Sequence, residues 1–151
     1  MRSDILKIIA VDLLSIPPLI FRGTRRKLIK TTLADNEVDI TPHHFEIMRL
    51  LKEDGTLHVA EIGERLQIAK AQMTQLIDKL VDTNMVGRET DIADRRTVNV
   101  VLTGKGKTTL EEHDSHVTNA IRETMSCLTD EELYDLSSSL RKIRDILSKL
   151  Q

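Results

Sequence analysis

The sequence predicts a mainly helical fold carrying one β-ribbon, and three patterns within its 151 residues lead there. The first lies in the middle of the chain. Val59, Ile62 and Leu66 recur at helical spacing, and after a break at Gln67–Ala69 a second set, Met73, Leu76, Ile77 and Leu80, does the same: helix, turn, helix. The second is a change of period from about 3.6 to 2. Val98, Val100 and Leu102 alternate with Thr97, Asn99 and Val101, so a strand replaces the helix, and Val86 to Thr90 is its expected partner. The third is a seam near the C-terminus, Leu133, Leu136, Leu140, Ile143, Leu147 and Leu150, spaced 3, 4, 3, 4, 3. A repeat that strict wants a partner helix. The fold class is therefore mainly α: a winged helix-turn-helix, with a three-helix core and a two-stranded β wing, flanked by N- and C-terminal dimerisation helices.

At the N-terminus, Ile5, Ile8, Ile9, Leu13 and Leu14 are consistent with a helix over residues 4–14. Pro17-Pro18 should stop or kink it, because proline lacks the donor and clashes with the preceding turn. A second helix is expected from Pro18 to about Leu33; it carries Arg22, Arg25, Arg26, Lys27 and Lys30 with no acid between them. Leu33 to Ile40 reads as a loop. Thr41 then caps a helix with Pro42 at its first position, where a missing N–H costs nothing. That helix should bury Phe45, Ile47 or Met48, and Leu51, and end at Asp54-Gly55.

The second helix of the central pair has no Ser or Thr at its cap, where Ala69 stands. Away from its apolar stripe it carries Lys70, Gln72, Thr74, Gln75 and Lys79. Such a mix of hydrogen-bonding and cationic groups can read base edges and hold phosphates, as a recognition helix does. Asp91-Ile92-Ala93-Asp94-Arg95-Arg96, between the two strands, is too polar to be buried and should project as a wing. Gly104 and Gly106 precede a long helix, about Lys107 to Cys127, with Leu110, Val117, Ile121 and Leu128 on one side. Thr129-x-x-Glu132 is a capping box that restarts the chain as the seam helix.

Composition bounds the partners. Lys and Arg number 22 against 24 Asp and Glu, so the overall charge gives no sign of nucleic-acid binding. The distribution does: Arg65 to Lys107 holds eight basic and five acidic residues, whereas Glu111 to Asp135 holds eight acidic and one basic. A positive reading head followed by a negative segment favours one orientation over a phosphate backbone. Aromatic residues make up only 2%, which argues against stacking of single-stranded bases. Cys127 is the only cysteine, so no intrachain disulfide or cysteine-cluster metal site can form. Asp4, Lys7 and Asp12 interrupt the apolar opening, and no apolar run approaches the ~20 residues that span a bilayer. A cytoplasmic protein with no membrane contact is the expectation.

The order helix-turn-helix, a wing with D-x-x-D-R-R (Asp91, Asp94, Arg95, Arg96), then L-T-x-x-G (Leu102, Thr103, Gly106) opening a long helix resembles the MarR family of winged-helix transcriptional regulators. Thr41-Pro42 extends the likeness, which covers roughly residues 20–150. The resemblance implies a sequence-specific duplex-DNA regulator, most often a repressor, acting as a homodimer on a palindromic operator. By the same resemblance no cofactor is expected, and a small effector, often an aromatic acid or phenol in this family, would bind between the dimerisation helices and the reading head. It assigns the minor-groove probe to Arg96, with Asp94 orienting it and Arg95 near phosphate. Two recognition helices about 34 Å apart would meet successive half-sites. The expected DNA-binding set is Lys70, Gln72, Thr74, Gln75, Lys79, Arg88, Asp94, Arg95 and Arg96. Gln75 stands where many members carry Arg, and glutamine pairs with adenine where arginine prefers guanine, so base preference does not transfer. The organisation expected is one domain over 1–151, with 41–103 as the DNA-binding lobe and 1–33 and 104–151 as dimerisation segments.

Three other constellations compete. His113 and His116 on the long helix, with Glu46 from the helix opened by Thr41, could approach a zinc site. The zinc-responsive branch of the family uses H-x-x-x-H there, and Val117 occupies the second position, so no metal is expected. A hydrolase would need a glycine-flanked nucleophile, a phosphate-cradling loop or paired carboxylates, and none is seen. A winged helix used only for protein contacts is opposed by the outward Lys70, Gln72, Gln75 and Arg96. Cys127 is not where the family's peroxide-sensing cysteine sits.

Overall fold

The structure, a computed structural model, describes residues 1–32 and 39–150. The loop expected at Leu33–Ile40 lies mostly outside them, and of the basic run the side chains of Arg26, Lys27 and Lys30 do too. The chain falls into two compact units, one of residues 32–115 and one of residues 1–31 with 116–151.

The first unit holds helix α2 (Pro42–Asp54), the short strand β1 (Leu57–His58), α3 (Val59–Leu66), α4 (Lys70–Asp82), β2 (Val86–Thr90), β3 (Val98–Leu102) and the start of α5 (Gly104–Thr124). Thr41 caps α2, Pro42 occupies its first turn, and the helix ends on Gly55 at φ +80°. The α3–α4 turn closes through Gln67 in the left-handed region, with Ile68 N–H donating to Gly63 O at 2.9 Å. Gly63 suits the close approach there, since a Cβ would sit 3.0 Å from the Met73 side chain and 3.2 Å from the Ile68 carbonyl. β2 and β3 are the expected partners, and they pair antiparallel from Val86 opposite Leu102 to Thr90 opposite Val98. The sheet has a third strand that the sequence pattern did not predict: Leu57 pairs with Val100 and His58 with Asn99, giving the order β1-β3-β2.

These elements close over one core. Ile47, Met48 and Leu51 of α2, Ile62 of α3, Met73, Ile77 and Leu80 of α4, Val100 of β3 and Leu110 of α5 are buried together. The apolar stripes read from the sequence are thus its walls, and their burial is the main favourable term for this unit. Phe45 is only half-buried and stacks on His113, ring centroids 3.6 Å apart at 10°. His44 takes the deeper place, 5% exposed.

The second unit corrects the sequence reading at its start. Helix α1 runs unbroken from Arg2 to Thr32 with Pro17 and Pro18 inside it, so the expected break is absent. The two prolines leave the carbonyls of Leu13 and Leu14 without helical donors, but residues 1–19 are all exposed and water can serve those oxygens. α5 begins at Gly104, earlier than its glycines suggested, and a 3₁₀ turn (Met125–Cys127) joins it to α6 (Asp130–Leu147). The capping box forms as read: Glu132 N–H donates to Thr129 Oγ1 at 3.2 Å, and Thr129 N–H to Glu132 Oε2 at 2.8 Å. Among its described residues, only Thr24 and Ala120 are buried in this unit. Leu133, Leu140, Ile143, Leu147 and Leu150 of the seam stay exposed, and Leu136 is half-buried.

Candidate nucleic-acid interface

The interface is built on α4. Packing Met73, Leu76, Ile77 and Leu80 inward leaves Lys70, Gln72, Thr74 and Gln75 exposed on the other side, with Lys79 half-buried. A 3.6-residue period forces that division, so the polar row follows from the core. Ala69 gives α4 no side-chain cap, as its chemistry requires, and the first N–H groups of the helix receive no acceptor from that residue. Thr74 turns its hydroxyl back to the Lys70 carbonyl at 3.2 Å.

The wing is tied to this helix. Met85 N–H donates to Leu80 O at 2.9 Å, and the Arg88 guanidinium of β2 pairs with the Asp78 carboxylate of α4. Arg88 therefore braces strand against helix, a partnership hidden in the sequence because it spans two different elements. Arg65 is likewise engaged, with Asp54 and Glu61. The Arg65 and Arg88 guanidinium groups are thus both neutralised locally.

The wing tip is stiffened by its own carboxylates. Asp91 Oδ1 accepts from Ala93 N–H at 2.9 Å and Asp94 Oδ1 from Arg96 N–H at 3.0 Å. Asp91 N–H donates to Thr97 O at 3.1 Å, and Thr97 N–H to Asp94 O at 3.0 Å. His58 Nε2 lies 3.7 Å from Asp91 Oδ2, joining β1 to the base of the wing. Asp94 thus orders the backbone at Arg96, while Arg95 and Arg96 stay exposed and, among the described residues, in no ion pair.

On the opposite flank α2 is clamped to α5: Arg49 reaches Asp114 at 2.5 Å and Lys52 reaches Glu111 at 3.4 Å. Glu46 lies 3.4 Å from His43. Among the described residues no group of three His, Cys, Asp or Glu could hold a metal ion. His113 is instead occupied by its stack on Phe45. Among the described residues no helix is long and apolar enough to cross a membrane.

A three-helix core with a polar outward helix and a cation-tipped β-hairpin braced against it is a winged helix-turn-helix, a protein class that docks a helix in the major groove of DNA. Known proteins agree. Residues 40–98 match the MarR family. The HTH-type transcriptional regulator YsmB of Bacillus subtilis (strain 168) is 30% identical over 109 residues, 72% of this chain and 75% of its own. The HTH-type transcriptional repressor MdtR of the same organism is 29% identical over 104 residues, 69% and 67% of the two chains. A MarR family protein from Bacillus stearothermophilus, 23% identical, has the same fold at a TM-score of 0.75 over 98% of this chain and 99% of its own. The chain belongs to the MarR family of winged helix-turn-helix, DNA-binding transcriptional regulators. Both relatives are named as transcriptional regulators.

Proposed function

We propose that this regulator is a cytoplasmic homodimeric repressor that binds a palindromic operator and is released by a small aromatic or phenolic effector. The single observation that carries the DNA-reading half is the α4 row, Lys70, Gln72, Thr74 and Gln75, exposed above a stripe of buried Met73, Leu76 and Ile77. Gln72 and Gln75 are the base-reading candidates, Thr74 a nearer polar contact, and Lys70 and Lys79 the phosphate contacts. Arg96 enters the minor groove, oriented by Asp94, and Arg95 holds the adjacent phosphate. Arg88 supports the wing through its pair with Asp78.

Dimerisation assigns residues 1–33 and 104–151 to the subunit contact and 41–103 to the reading lobe of one regulator domain. It is supported by the exposed seam Leu133, Leu140, Ile143, Leu147 and Leu150, and by the apolar groove beside it. Ile121, Met125, Leu133, Leu136 and Leu140 line that groove, with Arg141 and Arg144 among its other residues. Repression has its support in the name of MdtR, and the effector in the family resemblance.

Fluorescence anisotropy against the duplex upstream of the chain's own gene, beside a scrambled duplex at two salt concentrations, tests the reading. Tighter binding to the native duplex, weakening steeply with salt, is the expected result. Equal weak binding to both would remove sequence specificity at that site. Absence of binding at low salt would replace DNA by a protein partner.

A further inference from the structure

Ile92 at the wing tip is 102% exposed, more than any other large apolar residue among those described. Nothing in the fold uses its side chain. Its backbone is nevertheless held: Asp91 Oδ1 closes a turn over it onto Ala93 N–H at 2.9 Å, and Asp91 is itself pinned to Thr97 O at 3.1 Å and faces His58 Nε2 at 3.7 Å. A β-branched side chain on a fixed backbone has few rotamers left to lose when something covers it. Four residues on, the same tip carries the free guanidinium of Arg96, with Arg95 beside it.

We propose that Ile92 is a specificity-determining residue of the wing, which packs against the sugar walls and base edges of the minor groove beside Arg96 and disfavours G·C pairs there. The inference rests on the DNA-reading role of the wing given above. Its chemistry is that of the groove floor. A·T and T·A pairs present only acceptors, whereas G·C adds the guanine N2 amino group. An isoleucine pressed onto that group takes its free N–H out of water and offers no acceptor, so each such pair is penalised. Arg96 is drawn to the negative potential of a narrow A·T groove, and Ile92 excludes the alternative. One residue attracts and its neighbour rejects.

The two contributions separate by salt. A guanidinium contact releases counterions and steepens the dependence of binding on salt, and an apolar contact does not. The experiment is selection from a random-sequence duplex pool by the wild-type protein, Ile92→Ser and Ile92→Leu, followed by anisotropy on the wild-type-selected duplex across a KCl series, with Arg96→Ala alongside. Ile92→Ser should bind about tenfold more weakly, the equivalent of one partly buried aliphatic side chain. Its log–log salt slope should equal that of the wild type, and its selected pool should lose A·T bias at the positions flanking the half-sites. Ile92→Leu should retain both affinity and bias. Arg96→Ala should lower the salt slope by about one. Thermal midpoints of the Ile92 variants should match the wild type, since the side chain touches nothing in the fold.

Ile92→Ser binding within twofold of wild type, a loss accompanied by a shallower salt slope, or an unchanged A·T bias would each overturn the proposal. A wild-type protein that enriches no sequence at all would overturn the DNA-reading role itself, and that outcome is distinct from the other three.

Discussion

The imidazole Nδ1 of His44 accepts the backbone N–H of Thr41 at 2.9 Å, and the Thr41 hydroxyl lies 2.8 Å from the same nitrogen. His44 thereby fills the place that Glu or Gln takes in a capping box and satisfies the first donor of α2. The arrangement requires Nδ1 to be unprotonated. Burial pushes the His44 pKa below its ordinary value of 6.5, Lys79 and His43 push the same way, and only Asp39 opposes them. The unfolded chain therefore binds the proton more readily than the folded one, and stability present above about pH 6.5 declines as pH falls toward the folded-state pKa. Thermal unfolding at pH 7.5 and pH 5.5 should show a drop in midpoint that is smaller in His44→Gln, which keeps an acceptor at that position without the titration. Equal drops in both proteins would place the effect on other histidines.

Gly106 and Met85 make a second contact that tolerates no extra atom. A Cβ on Gly106 would lie 2.0 Å from the Met85 carbonyl oxygen. That oxygen cannot yield, because Thr103 N–H and Thr103 Oγ1 hold it at 3.1 and 3.0 Å. Gly106→Ala should cost about 2–3 kcal/mol, the range of an overpacked site, read as a lower denaturant midpoint with an unchanged slope. Gly104 has open space around it, and Gly104→Ala should cost far less.

Recognition helix and wing should respond differently to truncation. Gln75→Ala should reduce discrimination between the selected duplex and a mismatched one by about 1–3 kcal/mol while leaving binding to random DNA nearly unchanged. Lys70→Ala should weaken both equally and lower the salt slope. Equal losses on the two duplexes for Gln75→Ala would transfer that residue to the phosphate contacts.

Leu140 lies in the α6 seam, 47% exposed, and also lines the groove with Ile121 and Met125. Leu140→Asp introduces a charge that an apolar subunit contact cannot solvate, at a cost of several kcal/mol. Sedimentation should give half the wild-type mass and specific DNA binding should fall. A wild-type mass in the variant would remove α6 from the subunit contact.

The parts of this fold that were legible in the sequence are those in which one period repeats several times. The stripes of α3 and α4, the partnership of β2 with β3 and the Thr129–Glu132 box all stand where the spacing put them, because burial of one face leaves little choice. Leu57–His58 could not be read as a strand, since two residues hold no alternation. Pro17-Pro18 was misread because the rule against interior proline is local, while a 31-residue helix has favourable turns on both sides to set against it. His44 was unexpected at its cap because histidine is an uncommon residue there. The interface residues of α4 were legible as the complement of the core; the engagement of Arg88 by Asp78 was not, since it depends on which strand edge faces which helix.

Residues 2–16 are helical ahead of two adjacent prolines, and none of the first 19 residues is buried. Proline in a helix interior costs about 3 kcal/mol each, and an isolated segment of this length is marginal even without that cost. In the proposed homodimer a partner surface would cover this exposed segment and add to its stability. Helical content in this protein should therefore depend on concentration, and far-ultraviolet ellipticity becomes a direct gauge of mass action, rising on association and fading on dilution while the wing's strands remain intact.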